Sequence, residues 1–376
     1  MLTPTPMPIP AHFDQAREAF LAGVQAQDSG DLSAAETHYR HSLQLLPGRA
    51  STLNNLGLLC LAQRREADAL PCFEAALAAE PENPAIQLHL AQTLARLDRL
   101  PDALVLAQRL QASQPQSSAA WALCGNLLKD LGRAPEAATA LRKAIELGAD
   151  DDALRYLLAS LEGGLTPTPP QSPAAYVAAL FDSYSDGFEE HLVQRLQYRV
   201  PQTLIEQLAI LGNTFSAALD LGCGTGLCGA LLRPMCQRLV GVDLSAAMLA
   251  QAKGRALYDE LHQTDVAVFM QSTPERFDLL IAADVFIYIG ALETLFVAAR
   301  RVLLHGGCFA FSVEEASSDV DYELRQTSRY AQSERYLLNL AKQHGFEIER
   351  SERSSLRLDQ NTPVPGLCLW LRAPAL

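Results

Sequence analysis

The sequence predicts an all-α array of paired helices followed by an α/β domain built on a doubly wound, largely parallel sheet. Three observations carry this prediction. Small residues, alanines and prolines recur every 34 positions between Gly23 and Ala149. A proline- and glycine-rich stretch, GGLTPTPPQSP at 163–173, then breaks all periodicity. Beyond it come an apolar strand, a glycine turn, a helix, a second strand and an acid at that strand's end.

The chain has 376 residues, too many for one ordinary core, so two domains are expected. Hydrophobic residues at 49% and charged residues at 19% suit a folded globular chain rather than a disordered one. The net charge of −13 offers no basic surface for a phosphate backbone, so a nucleic-acid partner is not expected. The opening MLTPTPMPIP lacks a basic start and an unbroken apolar run, so it does not read as a secretory signal. No long uncharged apolar stretch predicts a membrane span. The eight cysteines form no C-x-x-C pair, which predicts reduced thiols, a cytoplasmic setting and no metal site.

The repeat comes first along the chain. Gly23, Gly57, Ala91 and Gly125 are in register, as are Ala35, Ala69, Ala103 and Ala137, and Pro47, Pro81 and Pro115. Small residues at these places let two helices cross closely, and proline ends the second helix of each pair. Tyr39 and Phe73 follow their alanines by one helical turn on the same face. Trp121, Gly125 and Ala137 give this half its resemblance to the tetratricopeptide-repeat family, with Ala107 departing from an expected aromatic. The resemblance implies a solenoid whose concave face binds a protein or peptide partner; an array that only stabilises or dimerises the chain is the other reading. Residues 11–162 are assigned to the repeats, with 152–162 as a capping helix, and 163–173 to a linker.

Residues 174–376 form the second expected domain. In FSAALDLGCGTGLCGALLRPM a strand ends at Asp220, and Gly222, Gly224 and Gly226 let the backbone turn and approach a ligand closely. RLVGVDLS gives the next strand, ending at Asp243, where a carboxylate can accept hydrogen bonds from ribose hydroxyls. Gly224, Gly226 and Gly229 also fit the G-x-G-x-x-G dinucleotide pattern. Asp220 argues the other way, because a carboxylate beside the turn repels a pyrophosphate and suits the ammonium of a methionine tail. DLGCGTG resembles the hallmark of class I methyltransferases, which implies a Rossmann-like seven-stranded domain with S-adenosylmethionine as cofactor. The resemblance places Asp265, near the end of the third strand, at the adenine amino group.

The remaining strands are expected within Phe277–Ile289, after Gly306, and at 346–352 and 366–372, the last two as an antiparallel hairpin. The segments 174–204, 258–260, 282–290 and 328–333 resemble a subgroup of methyltransferases joined to tetratricopeptide repeats. There 174–204 is a lid, and a histidine stands where this chain has Gln332.

Each candidate side chain has a functional and a structural reading. Asp284 orients the acceptor or methionine ammonium, or fixes a strand-end loop. Tyr288 lines the acceptor pocket or fills the core. His191 is a base or a helix residue. Tyr184 and Phe188 cover the cofactor or pack the lid. Tyr198 and Arg199 meet the methionine carboxylate, or Arg199 is solvated. Cys223 is a small filler. Methyl transfer from a sulfonium is a direct displacement that demands alignment and exclusion of water, with a base only for a protonated acceptor. No Asn-Pro-Pro-Tyr follows the fourth strand, which speaks against planar amide or base nitrogens and leaves oxygen, carbon or other acceptors open, on a small molecule or on a protein. The competing functions are a repeat scaffold with a non-catalytic cofactor fold, and a nicotinamide oxidoreductase.

Overall fold

The computed structural model describes residues 11–149, 151–163, 168–184, 188–210, 214–359 and 361–375. The side chains of Ala11, Tyr184, His191 and Val193 lie outside the described residues. The chain divides into two compact units, 1–154 and 155–376.

Among the described residues of the first unit, eight helices form four pairs: α1 (Ala11–Asp28) with α2 (Leu32–Leu45), α3 (Ala50–Ala62) with α4 (Glu66–Ala79), α5 (Pro84–Arg96) with α6 (Leu100–Ser113), and α7 (Ser118–Asp130) with α8 (Ala134–Glu146). Side chains cap the starts of α2, α5 and α7. Asp31 accepts from Ala34 N, Asn83 from Ala85 and Ile86 N, and Ser117 from Ala120 N. The second helices end two residues before Pro47, Pro81 and Pro115. The small residues act as the period predicts. A Cβ on Gly23 would stand 2.6 Å from the Tyr39 ring, one on Gly57 2.7 Å from Phe73, and one on Gly125 2.5 Å from Leu141. The third pair trades volumes: Ala91 replaces glycine, Ala107 replaces the aromatic, and both are fully buried.

The division between units falls inside α9 (Asp152–Glu162), ahead of the boundary read from the sequence. From Arg155 this helix belongs to the second unit. The Tyr156 hydroxyl donates to Ser328 O at 2.7 Å, and its ring packs on Tyr176 and Tyr330. The stretch read as a linker is also engaged where it is described. Tyr330 donates to Pro169 O at 2.8 Å, and Gly290 and Ala291 N–H both donate to Pro170 O at 2.9 Å. Ser172 N donates to Tyr288 O at 2.9 Å. Proline suits such a strap because its carbonyl accepts while its missing N–H leaves no orphan donor.

The second unit continues through α10 (Ala174–Tyr184), a π-helical turn at Glu190–Arg195 and α11 (Val200–Ile210). Then follow β1 (Phe215–Leu221), α12 (Leu227–Leu232), β2 (Cys236–Asp243), α13 (Ala246–Gly254), β3 (Glu260–Gln263), α14 (Val266–Ser272) and β4 (Phe277–Ala282). The chain ends with α15 (Glu293–Val302), β5 (Leu303–Glu315), β6 (Tyr322–Leu324), β7 (Tyr330–Gln332), α16 (Glu334–Gln343), β8 (Glu347–Asp359) and β9 (Thr362–Arg372).

Strands β3-β2-β1-β4-β5 pair in parallel, and β9 then β8 continue the sheet antiparallel, which makes the seven-stranded layer the sequence predicts. Two short strands go beyond that expectation. A left-handed Ser328 (φ +58°) and the Arg325–Arg329 backbone bond fold 322–332 into a β6–β7 hairpin, and β7 pairs with the end of β5. Alternate strand residues feed two cores. Leu219, Leu280 and Phe309 pack with α14, α15 and α16, while Ala218, Leu279 and Cys308 pack with α11 and α12. Burial on both faces is why these strands read as near-continuous apolar runs.

Candidate active site

A cavity of about 470 Å³ opens at the carboxyl ends of β1, β2 and β4, where ligands of doubly wound sheets bind. Of the predicted residues, Gly222, Gly224, Asp243, Asp265, Asp284 and Tyr288 line it.

The glycine turn is built for left-handed backbone. Gly222, Gly224 and Gly226 have φ of +66°, +53° and +95°. Their missing side chains serve different ends. A Cβ on Gly222 would stand 2.5 Å from Val285 Cγ2, so this glycine packs the turn against the loop after β4. A Cβ on Gly224 meets no protein atom within 4 Å, so it would enter the cavity.

Asp243 ties the turn to β2. Its Oδ2 accepts from Gly224 N at 2.9 Å and its Oδ1 from Ser245 N at 2.8 Å. Burial pushes its carboxyl above the ordinary range, and the backbone N–H bonds oppose the rise. Each oxygen has a second lone pair to offer a hydroxyl. Asp265 caps α14, its Oδ1 accepting from Ala267 N at 2.8 Å and Val268 N at 3.1 Å, which fixes the carboxylate at the cavity wall.

Asp220 sits beneath the turn at 1% exposure and is not part of the lining surface. Its Oδ2 accepts from the Tyr258 hydroxyl at 2.7 Å. Burial pushes this carboxyl up to about 7; the Tyr258 bond opposes the rise and the Asp243 charge adds to it. The folded chain therefore holds this proton more tightly than the unfolded chain does. That share of stability is present in acid and is lost as pH rises through about 7.

Asp284 follows β4 in a left-handed conformation, φ +60°, with its N–H donating to Ser312 Oγ at 2.9 Å. Its Oδ2 pairs with Arg357 at 2.6 Å, and its Oδ1 is buried without a hydrogen-bond partner. Arg357 also pairs with Glu314, which pairs with Arg325 at 3.0 Å. Such a chain of buried charges is stable only with each charge matched. Tyr288 packs edge-on against Phe181, at 5.6 Å between centroids, and receives a hydrogen bond from Arg329.

Two carboxylates hold the predicted lid to the turn region. Asp182 of α10 accepts from Ser245 Oγ at 2.6 Å and Ala247 N at 3.1 Å. Glu189 accepts from Thr225 and Arg255. Phe181, Phe188, Leu192 and Leu196 then give the cavity an apolar wall that excludes water.

Arg199, Gly226 and Gln332 do not join the cavity lining. Arg199 is exposed and away from the cavity lining, because buried Tyr198 and Val200 on either side turn it outward; Tyr198 does line the cavity. Gly226 lies outside the lining and faces Tyr258 instead. Gln332 is fully buried, its amide donating to Ile289 O at 2.7 Å and Phe286 O at 3.2 Å, so it braces the loop after β4. Cys223 is buried, and burial drives its thiol well above the ordinary range, as a filler residue requires. The side chains of Tyr184 and His191 lie outside the described residues. Sequence reasoning gave Tyr258, Arg329, Asp182 and Glu189 no individual role and missed Arg357 altogether. Arg357 carries no local signal at all, since a charged residue on a strand ordinarily reads as solvated.

Comparison with known proteins agrees with this fold. Residues 219–311 match the family model described as a methyltransferase domain, and residues 61–127 match that of the tetratricopeptide repeat. The biotin biosynthesis bifunctional protein BioHC of Saccharophagus degradans is 28% identical over 206 residues, 50% of this chain and 36% of that protein. A malonyl-(acyl-carrier protein) O-methyltransferase of Enterobacter lignolyticus is 30% identical over 161 residues, 43% of this chain and 61% of that protein. A trans-aconitate 2-methyltransferase of Paracidovorax citrulli is 35% identical over 102 residues, 27% of this chain and 39% of that protein. The chain thus spans from 36% to 61% of the length of these relatives. It carries a methyltransferase domain of the class I fold behind tetratricopeptide repeats. Among the described residues no helix is long and apolar enough to cross a membrane.

Proposed function

We propose that this chain transfers a methyl group from S-adenosylmethionine to an acceptor held in the cavity. The observation that carries the reading is Asp243, fixed at the end of β2 by the Gly224 and Ser245 N–H groups and lining the cavity. A ribose held there would set adenine toward Asp265 and the methionine tail toward Asp220. The sulfonium supplies the reactive methyl, and the chain's part is to align the acceptor and exclude water. The apolar lid wall serves exclusion, while Asp284 Oδ1 and Tyr288 are the polar groups available to orient the acceptor. An oxygen acceptor accords with the missing Asn-Pro-Pro-Tyr and with the O-methyltransferase named above. In this reading the repeat array recruits a protein partner or substrate.

A nicotinamide cofactor fits less well. Asp220 would face a pyrophosphate near the turn, and the space left by Gly229 is filled by the Tyr258 side chain, whose hydroxyl would stand 2.5 Å and whose ring 2.6 Å from an added Cβ. A repeat scaffold with an idle cofactor fold has no use for a cavity kept open beside Asp243 and Asp265.

Calorimetric titration separates the three readings. The wild-type chain is expected to bind S-adenosylmethionine and not NAD. Asp243→Ala removes hydrogen bonds to a carboxylate and frees the turn, so its affinity should fall roughly ten- to a hundredfold. Unchanged affinity in a variant with a normal thermal transition would move the cofactor elsewhere.

A further inference from the structure

Tyr258, in the turn before β3, has no assigned part in the reaction, yet the glycine motif is shaped around it. Glycines from three elements leave room for its ring. A Cβ on Gly226 in the turn would come within 3.2 Å of it, one on Gly229 in α12 within 2.6 Å, and one on Gly241 in β2 within 2.9 Å. Side chains in packed interiors do not approach so closely, so any larger residue at Gly229 or Gly241 displaces the ring. The slot ends at Asp220, and the hydroxyl spans the remaining 2.7 Å to its Oδ2. The third glycine of the ambiguous G-x-G-x-x-G pattern thus admits a tyrosine of this same chain.

We infer that Tyr258 is a positioning residue that holds Asp220 beneath the glycine turn in the orientation and ionised state needed to receive the cofactor's ammonium. The inference rests on the S-adenosylmethionine reading above. The groups around Asp220 explain why such a partner is needed. Asp243 on β2 is a second carboxylate that disfavours the charged form of Asp220, while the thiols of Cys223 in the turn, Cys228 on α12 and Cys236 at the start of β2 are kept neutral by burial and offer no compensating positive charge. Burial works in the same direction and brings Asp220 up to about 7, with the Tyr258 bond as the opposing influence. A hydroxyl that donates to the carboxylate stabilises its charged form. It also occupies one oxygen and so fixes the carboxyl plane. The chemistry is binding only: no bond forms or breaks at either residue.

The test is the pH dependence of S-adenosylhomocysteine binding to the full chain, measured by calorimetry for wild type, Tyr258→Phe and Asp220→Asn. Phenylalanine keeps the ring in its slot and removes only the hydroxyl, so the variant should fold. Wild-type affinity should rise with pH and level off above about 7. In Tyr258→Phe the rise should move upward by roughly one pH unit. That shift predicts a deficit of about fivefold at pH 7 that shrinks to less than twofold at pH 8.5. Asp220→Asn should lose the rise, and adding Tyr258→Phe to it should then have no pH-dependent effect. A Tyr258→Phe profile that coincides with wild type, or a deficit equal at every pH, would overturn the inference while leaving the cofactor reading intact. A wild-type chain that fails to bind S-adenosylhomocysteine would overturn both.

Discussion

Valine at Gly224 should abolish cofactor binding in a chain that stays folded, whereas alanine at Gly222 should damage the fold itself. The two glycines are two positions apart and both have left-handed backbone, φ +53° and +66°. A Cβ in that region costs roughly 1–2 kcal/mol at either place. The difference lies in what the side chain meets. At Gly222 it collides with Val285 at 2.5 Å, adding about 1–3 kcal/mol of overpacking. At roughly 2–4 °C per kcal/mol for a unit of this size, Gly222→Ala should lower the melting temperature of the second unit by about 5–15 °C. At Gly224 there is no protein atom within 4 Å, and the valine methyls project into the cavity where the proposed ligand lies. The expected loss of affinity is at least about a hundredfold, or roughly 2.7 kcal/mol and more. Thermal scanning and calorimetry on the same pair read both effects. Gly224→Val binding like wild type, or Gly222→Ala melting like wild type, would mean that the turn is not used as described.

A fragment beginning at Asp151 should fold and bind the cofactor, while one beginning at Pro173 should be severely destabilised. The second cut removes Tyr156, whose ring is almost fully buried, and the strap 168–172. Losing a large buried aromatic costs about 3–5 kcal/mol. The cut also leaves Tyr330 Oη, Gly290 N and Ala291 N without the carbonyls they bond, each worth about 1–3 kcal/mol if it remains buried and unpaired. The expected difference in melting temperature between the two fragments is more than about 10 °C. Equal stability would show that α9 and the strap only rest on the domain. The longer fragment is also the proper tool for the recruitment proposal. Loss of the repeats should raise KM for a protein acceptor and leave kinetics on a small acceptor unchanged.

The sequence disclosed those parts of the molecule whose physics is local or periodic. Helix pairs repeat, so a helix-crossing glycine at one position predicts the next, and even the third repeat's exchange of glycine for alanine and aromatic for alanine follows the same geometry. Apolar strands buried on both faces announce themselves, and a left-handed turn demands glycine. Asp243 was legible as the acid that ends its strand, and Asp265 through the resemblance that places an acid near the end of the third strand. What the sequence did not disclose depends on distant pairing. Tyr330 lies 161 positions from Pro169, and Tyr156 lies 172 from Ser328, so the proline-rich stretch read as a linker although its described part is bonded to the loop after β4. Arg199 looked like a binding residue because it precedes the first strand, but its neighbours' burial turns it outward. Arg357, on the penultimate strand, instead meets Asp284 from 73 positions away. Tyr258 was noticed as part of a resemblance, yet its role requires knowing that three glycines converge on one ring.

A crystal structure of the full chain with S-adenosylhomocysteine tests the central claim most directly. The ligand is expected in the cavity at the ends of β1, β2 and β4, with its ribose hydroxyls on Asp243, its adenine amino group beside Asp265 and its ammonium toward Asp220. A ligand bound elsewhere, or one that leaves the Asp243 carboxylate untouched, would contradict it.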